Sequence, residues 1–417
     1  AIRAGNEAGT IPPWPGGLTT PPPSFDESSG RYANPYPQDE PLFVITAENM
    51  AQYADHLTDG QKALLKRWPE SYKMPVYKTR RSFASPQWVY DAIAENAVNA
   101  DLVANGEGIS GATGGIPFPF IKATGDPAKA AIWNHKLRFR GQNVRYVSGQ
   151  IVTFPGDGYR VGKLLIEVMV PYAQRGIEPD DLHNVAIYFL ETVLAPPRSA
   201  GTILLVHETM NQVAEPRRIW LYNPGLRRIR RAPNVAYDNP GTASDGMRTN
   251  DQFDMFNGAT DRYNWKVLGK KEIYIPYNSY ELQLAPSYDA IVGDDHTNQA
   301  LMRYELHRVW VVEGTVKPTT SHLYARRKFY IDEDSWNILA ADQWDSRGDL
   351  WRVMESHTIE LYDRPLMAPV MLSSYDLFAD RYLLLGLNNE DGPAWNTDVD
   401  YDVDYFNPRN IRRRAAQ

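Results

Sequence analysis

The sequence predicts an α+β protein built on a large antiparallel sheet, and three observations carry that prediction. From about residue 137 apolar residues recur with period 2. Over 304–362 four such runs follow one another with short turns between them. Ahead of both, residues 46–104 carry helix-start signals and helical spacing. Strand side chains alternate between faces, whereas helix faces recur at three and four residues, so the two patterns separate cleanly.

Residues 1–41, with "GTIPPWPGGLTTPPPSF" and "YANPYPQDEP", are too rich in Pro and Gly for helix interior or central strand. Their aromatics Trp14, Phe25, Tyr32 and Tyr36 suggest an arm laid on the body rather than a disordered tail. In 46–104, Thr46 is placed to cap one short helix, Thr58 with Gln61 forms a capping-box pattern, and Ser85-Pro86 opens a third helix. The apolar stripe of that third helix is read as Val89, Ile93 and Val98.

"GEGISGATGGIPFPF" (106–120) then breaks the pattern. It lacks the Gly-Lys-Ser/Thr ending of a phosphate loop, and Ala112 stands where a nucleophile elbow around Ser110 needs Gly. It reads as a flexible loop over a pocket.

Strands follow at "LRFRGQNVRYVSGQIVTF", "YRVGKLLIEVMVPYAQ", "NVAIYFLETVL" and "GTILLVHETMNQ". "RRIWLY" and "LRRIRRA" form a hairpin around "NPG", which has Pro and Gly where a type II turn wants them. Period 2 puts Arg228 and Arg230 on one face and Arg227 and Arg231 on the other. The leading reading pairs them with nearby carboxylates, Asp238, Asp245, Asp251 and Asp254. The alternatives are a lipid headgroup phosphate or carboxylate, which arginine recognises bidentately, and an acidic partner surface.

The meander over 304–362 has apolar residues on both faces of its first strand, as in a sheet covered on one side and lined on the other. If "KPTTS" is its first turn, His307 falls opposite Tyr330 and His322 opposite Thr315. They are then roughly 25 Å apart and share no metal. The tail alternates Asp398, Asp400, Asp402 and Asp404 with Val399, Tyr401, Val403 and Tyr405, read as an edge strand with a solvated acidic face.

A net charge of -7 argues against nucleic-acid binding, which calls for a basic excess. There is no cysteine, hence no disulfide framework and no thiolate metal site. No apolar run reaches the roughly 18 residues of a transmembrane helix. The first residue is Ala1, read as the mark of a removed signal peptide or of trimming. The eight His make no HxxxH or HExxH pattern, and no carboxylate spacing singles out a catalytic pair. No cofactor and no enzymatic site are expected.

"RAGNEAGTIPPWPGGLT", "AIWNHKLRFRG", "RRIRRAPNVAYD", "SDGMRTNDQFDMFNGATDRYNWKVLGKKEIYIPYN", "YELHRVWVVE" and "YIDEDSWNILAADQWDSRGDLWR" together resemble a bacterial envelope family of unknown function, numbered 1329, over nearly the whole chain. "WLYNPGLRRIRR" followed by "DQFDMFNG" also resembles the Lol-type lipoprotein carriers and related outer-membrane lipoprotein-sorting proteins. That resemblance implies a strongly curved antiparallel sheet forming an incomplete barrel, with helices plugging its concave side and an apolar cavity for acyl chains. It implies a periplasmic location, soluble or associated with the outer membrane. The resemblance to the numbered family implies work beside a resistance-nodulation-division exporter and an outer-membrane β-barrel partner, with peripheral membrane contact.

The expected organisation is an arm (1–41), a half-barrel (42–362, including the helical 46–104) and an extension on the same body (363–417). The leading function is binding or carriage of a lipid-like molecule, with motion of the 106–120 loop as one route to release. Trp220, Tyr222, Trp265, Trp310 and Trp336 are candidate lining residues, and core packing is the competing role for each. A carrier lacks the arm, loop and extension, which would close the cavity permanently. A structural adaptor without ligand is therefore the second reading, and a lipid-active hydrolase the third.

Overall fold

The computed structural model describes residues 3–232 and 237–414. The ends of the arm and of the extension, and Pro233 to Ala236 of "RRIRRAPNVAYD", lie outside the described residues. The chain groups into two compact units. The first comprises Ala1–Pro86, Val152–Tyr159 and Arg262–Glu390. The second comprises Gln87–Ile151, Arg160–Asp261 and Asp391–Gln417. The stretch 42–362 contributes to both. The α+β class holds: strands are long and mostly antiparallel, helices are few and short, and the strand path does not close.

In the first unit the strand Tyr304–Val316 is central. Tyr263–Pro276 pairs with it antiparallel along its whole length. On its other edge it takes Arg326–Asp332 antiparallel and Met74–Tyr77 parallel. The sheet then continues through Ile338–Trp344, Leu350–Leu361, Leu366–Asp376 and Arg381–Leu387. Register shifts at Val267/Gly269, Tyr330/Ile331, Gln343/Trp344 and His357/Thr358 curve it, since a bulged strand bends and twists more strongly.

Four expectations change here. Residues 46–104 are not wholly helical, because Met74–Tyr77 is a strand. Met50–His56 is a 3-10 turn entered at Asn49, not capped by Thr46. The pairing Val311↔Tyr330 moves the meander register by four residues from that expected. The connection is longer than "KPTTS": 321–325 stay outside the strand, with Tyr324 fully buried and its N–H donated to His322 Nδ1 at 3.0 Å. Finally, the strands Leu366–Asp376 and Arg381–Leu387 extend the sheet into what was read only as an extension.

The Thr58–Gln61 capping box forms as expected and starts the helix Asp59–Arg67. Leu64 and Leu65 are wholly buried, and Gln61 donates to Tyr274 O (2.8 Å) and Glu355 Oε1 (2.9 Å). Gly60 lets this helix approach the sheet. Its N–H donates to Asp342 Oδ1 at 3.0 Å, and a Cβ there would lie 2.2 Å from that oxygen and 2.5 Å from Val353 Cγ1. The proline-rich arm is ordered on this unit. Trp14 Nε1 donates to Phe83 O (3.0 Å) and Leu18 N to Ser82 O (2.8 Å). Phe25 and Tyr32 pack against Tyr362 at 5.1 and 5.3 Å between ring centres.

The second unit carries most of the strands Asn143–Phe154 and Gly158–Met169, and all of Val185–Ala195, Ile203–Thr209, Arg218–Asn223 and Arg228–Arg231, each beside the next. Its helices are Gln87–Asn99, Pro127–Leu137 and Pro408–Arg414. In Gln87–Asn99 the stripe differs from the reading above: Val98 is 84% exposed, and Asn96 is buried with Val89. Seven residues make nearly two turns and return to the same face, while nine end about 180° away.

The tail is not an edge strand. Asp402 accepts from Tyr405 N (2.8 Å) and caps a 3-10 turn, Val403–Phe406, ahead of the last helix. Phe406 and Ile411 are thereby buried against Tyr188, Leu205 and Tyr222, which outweighs a solvated strand.

Gly60→Ala tests the helix-on-sheet approach. At an ordinary helix position this change would stabilise by about 1 kcal/mol. Here it is expected to destabilise by roughly 1–3 kcal/mol, because backbone and sheet must separate. Urea unfolding at constant pH reads the sign.

Candidate functional site

Helix Pro127–Leu137 starts at Asp126, whose carboxylate accepts from Lys129 N at 3.0 Å. It is buried on every side from Ala128 to Leu137, including Lys129, Asn134, His135 and Lys136. A helix buried all round must satisfy its polar side chains internally. Lys129 Nζ donates to Asn105 O and Glu107 Oε1, both at 2.7 Å, and Thr260 Oγ1 donates to Glu107 Oε2 at 2.7 Å. Burial pushes the Lys136 ammonium down to about 8; it donates to Gly258 O at 3.1 Å. Burial and Arg138 push His135 down to about 3. Burial alone would raise the Asp254 carboxyl, but the Arg138 and Arg140 guanidiniums hold it below the usual carboxylate range.

The same helix fixes the glycine loop. Asn134 bonds Phe118 in both directions, at 2.8 Å each. Asn96 donates to Thr113 O (2.8 Å) and accepts from Thr113 N (3.1 Å). Tyr172 donates to Gly115 O at 2.6 Å and accepts on its carbonyl from Gly114 N at 2.7 Å. The expectation of a flexible loop is therefore corrected: two buried asparagines and a buried tyrosine staple 113–118 to the body. Asparagine carries both a donor and an acceptor, so each one closes a reciprocal pair.

Beside this stapled segment lies a cleft of about 580 Å³. Ala97, Ala100, Leu102, Pro117 and Phe118 give it apolar walls, Phe120 stands 71% exposed beside it, and Asp101 and Asn105 add polar groups. All of its lining belongs to the second unit.

The five candidate lining aromatics are packed against the chain itself. Trp220 and Tyr222, in the second unit, lie with Tyr188, Phe406 and Ile411. In the first unit Trp265 stacks on Phe329 at 6.0 Å and lies over Gly314, where a Cβ would meet its Cζ3 at 2.7 Å. Trp310 is covered by Lys270, whose Nζ is 4.8 Å from the ring centre. Trp336 is buried at a left-handed corner (φ 58) with its N–H on Asp332 O at 3.0 Å.

The arginine hairpin forms with Arg228↔Asn223 and Arg231↔Trp220. Its turn is not type II at Gly225; the left-handed residue is Arg227 (φ 49). Arg227, Arg228, Arg230 and Arg231 are all exposed. The local ion pairs expected for them are not made: among the described residues Asp254 pairs with Arg138 and Arg140 instead.

The family described as "Protein of unknown function (DUF1329)" matches residues 44–412. The chain belongs to this family. The uncharacterized protein PA3922 of Pseudomonas aeruginosa is 47% identical over 418 residues, covering 100% of this chain and 91% of that relative. Among solved structures, a DUF1329 family protein from Desulfovibrio piger is similar at 14% identity and TM-score 0.44, over 65% of this chain and 92% of its own. An outer membrane lipoprotein-sorting protein domain from Vibrio parahaemolyticus gives 12% and 0.44, over 65% and 92%. A LolA superfamily protein from Nitrosomonas europaea gives 13% and 0.39, over 68% and 98%.

The first unit of this DUF1329 chain holds a buried charge network that the sequence reading missed. His307 stacks on Tyr277 at 4.0 Å, with Nε2 3.3 Å from Glu305 Oε2 and Nδ1 3.6 Å from Asp332 Oδ1. Arg81 grips Asp334 bidentately (2.8 and 2.5 Å), and Arg303 donates to Glu305 at 2.8 Å. Burial opposes charge on His307, but Asp332 and Glu305 outweigh it and raise it to about 9. His307, Asp332 and Asp334 are close enough to surround a cation. As an imidazolium His307 has no lone pair to give, and Arg81 already occupies Asp334, so the cluster is an ion-pair network.

Two neighbouring acids behave oppositely. Burial, aided by Asp59, pushes Asp342 up to about 7, and burial pushes Glu355 up to about 7. One signal was legible: single charges interrupt otherwise apolar strands in "YELHRVWVV", "LAADQW" and "VMESHTIEL".

A carboxyl whose folded pKa lies above its unfolded value of about 4 removes stability as pH rises through that window. Asp342→Asn keeps an acceptor for Gly60 and stays neutral. Relative to the parent, its stability is expected to improve from pH 5 to pH 8. Urea midpoints at both pH values check this; a difference independent of pH would show that Asp342 titrates normally.

Proposed function

We propose that this protein is a non-enzymatic binding protein of the bacterial periplasm that holds one small amphipathic, lipid-like molecule in the cleft of its second unit. The observation that carries this reading is the cleft. Its volume of about 580 Å³ lies within the range of small-molecule sites, its walls are apolar and polar in about equal measure, as an amphipathic ligand requires, and its loop is stapled, so it is preformed. Binding would bury apolar groups against Leu102, Pro117 and Phe118, each CH₂ contributing about 0.8 kcal/mol. Asp101 and Asn105 are placed to orient a polar end. The sequence resemblance to Lol-type carriers supports a lipid-like ligand. The resemblance to the numbered family supports work beside a resistance-nodulation-division exporter and an outer-membrane β-barrel partner.

A second reading, a structural adaptor without ligand, is favoured by the packing of Trp220, Tyr222, Trp265, Trp310 and Trp336 into the chain's own cores. Solvent extraction and mass spectrometry of protein purified without detergent separate the two. The binding reading expects a lipid-like molecule at one per chain, lost in Ala97→Trp, which fills the cleft from an exposed position. A chain that retains nothing, and binds no fluorescent acyl probe, is the adaptor.

A further inference from the structure

The turn of the arginine hairpin lies at one end of the second unit's sheet. Arg228 pairs with Asn223 and Arg230 with Leu221, and cross-strand partners share a face, so Arg228, Arg230 and Leu221 point together out of the sheet. The opposite face, with Tyr222 and Ile229, is turned to the core. Leu226 in the turn is 55% exposed and Leu221 is 37% exposed.

The neighbouring turn is close: a Cβ at Gly201 would lie 3.7 Å from Pro224. That second turn brings exposed Arg198 to the same end, and Leu194, 44% exposed, is the last residue but one of the strand before it. Arg198, Arg227, Arg228 and Arg230 form no ion pair among the described residues, in a chain whose net charge is -7. Two adjoining turns therefore present bare guanidiniums around exposed leucines.

We propose that this end of the sheet docks on an anionic phospholipid surface. Guanidiniums bind lipid phosphates bidentately, and an interfacial site couples that attraction to shallow burial of apolar side chains below the headgroups. Leu226 and Leu194 supply the apolar part, and the four arginines the electrostatic part. An acidic protein surface would neutralise the arginines but offers nothing general to leucines at both turns. The edge strand is also a poor site for strand addition, because charged side chains on an edge oppose pairing. This surface stands independently of the cleft, so failure of one leaves the other untouched.

Vesicle flotation with the full chain tests it. The wild type is expected to float with phosphatidylcholine vesicles containing phosphatidylglycerol, to stay behind with phosphatidylcholine alone, and to release as salt rises. Arg227→Glu/Arg228→Glu/Arg230→Glu is expected to lower partitioning about tenfold or more. Leu226→Ser, which removes the apolar group without changing the charge, is expected to lower it at unchanged salt dependence. All four side chains are exposed, and circular dichroism checks that the variants fold. No flotation of the wild type on anionic vesicles overturns the proposal, as does flotation that the triple variant retains. Capture of the wild type on an immobilised acidic polypeptide without vesicle binding would assign the surface to a protein partner instead.

Discussion

The strand Tyr304–Val316 is hydrogen-bonded on both edges and buried on both faces, yet it carries Glu305 and His307 at positions that are 0–1% exposed. A charge taken out of water must be paired where it lies, since the alternative is several kcal/mol of lost solvation. Much of the first unit answers that requirement. Arg81 and Arg303 come from the chain ahead of the sheet and from the foot of the strand, Asp332 and Asp334 from the next turn, and Asn278 and Tyr277 from the preceding connection. The proline-rich arm belongs to the same solution, because Arg81 also donates to Ala4 O and Pro12 O, both at 3.1 Å. An arm whose described residues form only the 3-10 turn Glu27–Ser29 is thereby held by groups that cannot let go without stranding a charge.

The second unit is organised by a helix rather than a strand. Pro127–Leu137 has modest amphipathic character and no solvent face, so its polar side chains become fasteners. Asn134 holds the glycine loop, Lys129 holds Asn105 and Glu107, and His135 bonds Asp254 O at 2.8 Å. The cleft is what remains beside these fasteners, and its shape follows from them rather than from a mobile lid.

Much of the strand order was legible because period 2 is a direct consequence of sheet geometry. The capping box at Thr58 was legible because its chemistry is local. The register of the meander was not, because "KPTTS" satisfies turn chemistry while burial of Tyr324 holds 321–325 out of the strand. The tail was misread for a related reason. Alternation of Asp with Tyr and Val satisfies a strand on paper, but Tyr401 and Tyr405 are within reach of Glu167, with Arg414 beside them at 2.9 Å, and Phe406 finds a pocket in the core. The cleft had only a weak signal in sequence. Its walls come from segments around 96–106 and 117–126, and the asparagines that set them look like ordinary helix residues.

Aromatic content alone does not make a ligand cavity, and the first unit shows why. Its tyrosines are buried against carboxylates: Tyr304 donates to Glu355 Oε2 at 2.8 Å, Tyr330 to Asp342 Oδ2 at 3.1 Å, and Tyr277 to Asp332 Oδ2 at 3.3 Å. Such rings spend their hydroxyls inside the protein, and burial raises each of the three far above the usual phenol. An acyl chain pressed among them would have to separate hydroxyl from carboxylate and return nothing to either. A largely apolar ligand is better served where walls present methyl, methylene and ring edges and polar groups stand only at the side. Among the described residues the cleft at Leu102, Pro117 and Phe118 presents such groups in about equal measure with polar ones, Asp101, Asn105 and Asp126 among them, which suits an amphipathic ligand rather than a wholly apolar one.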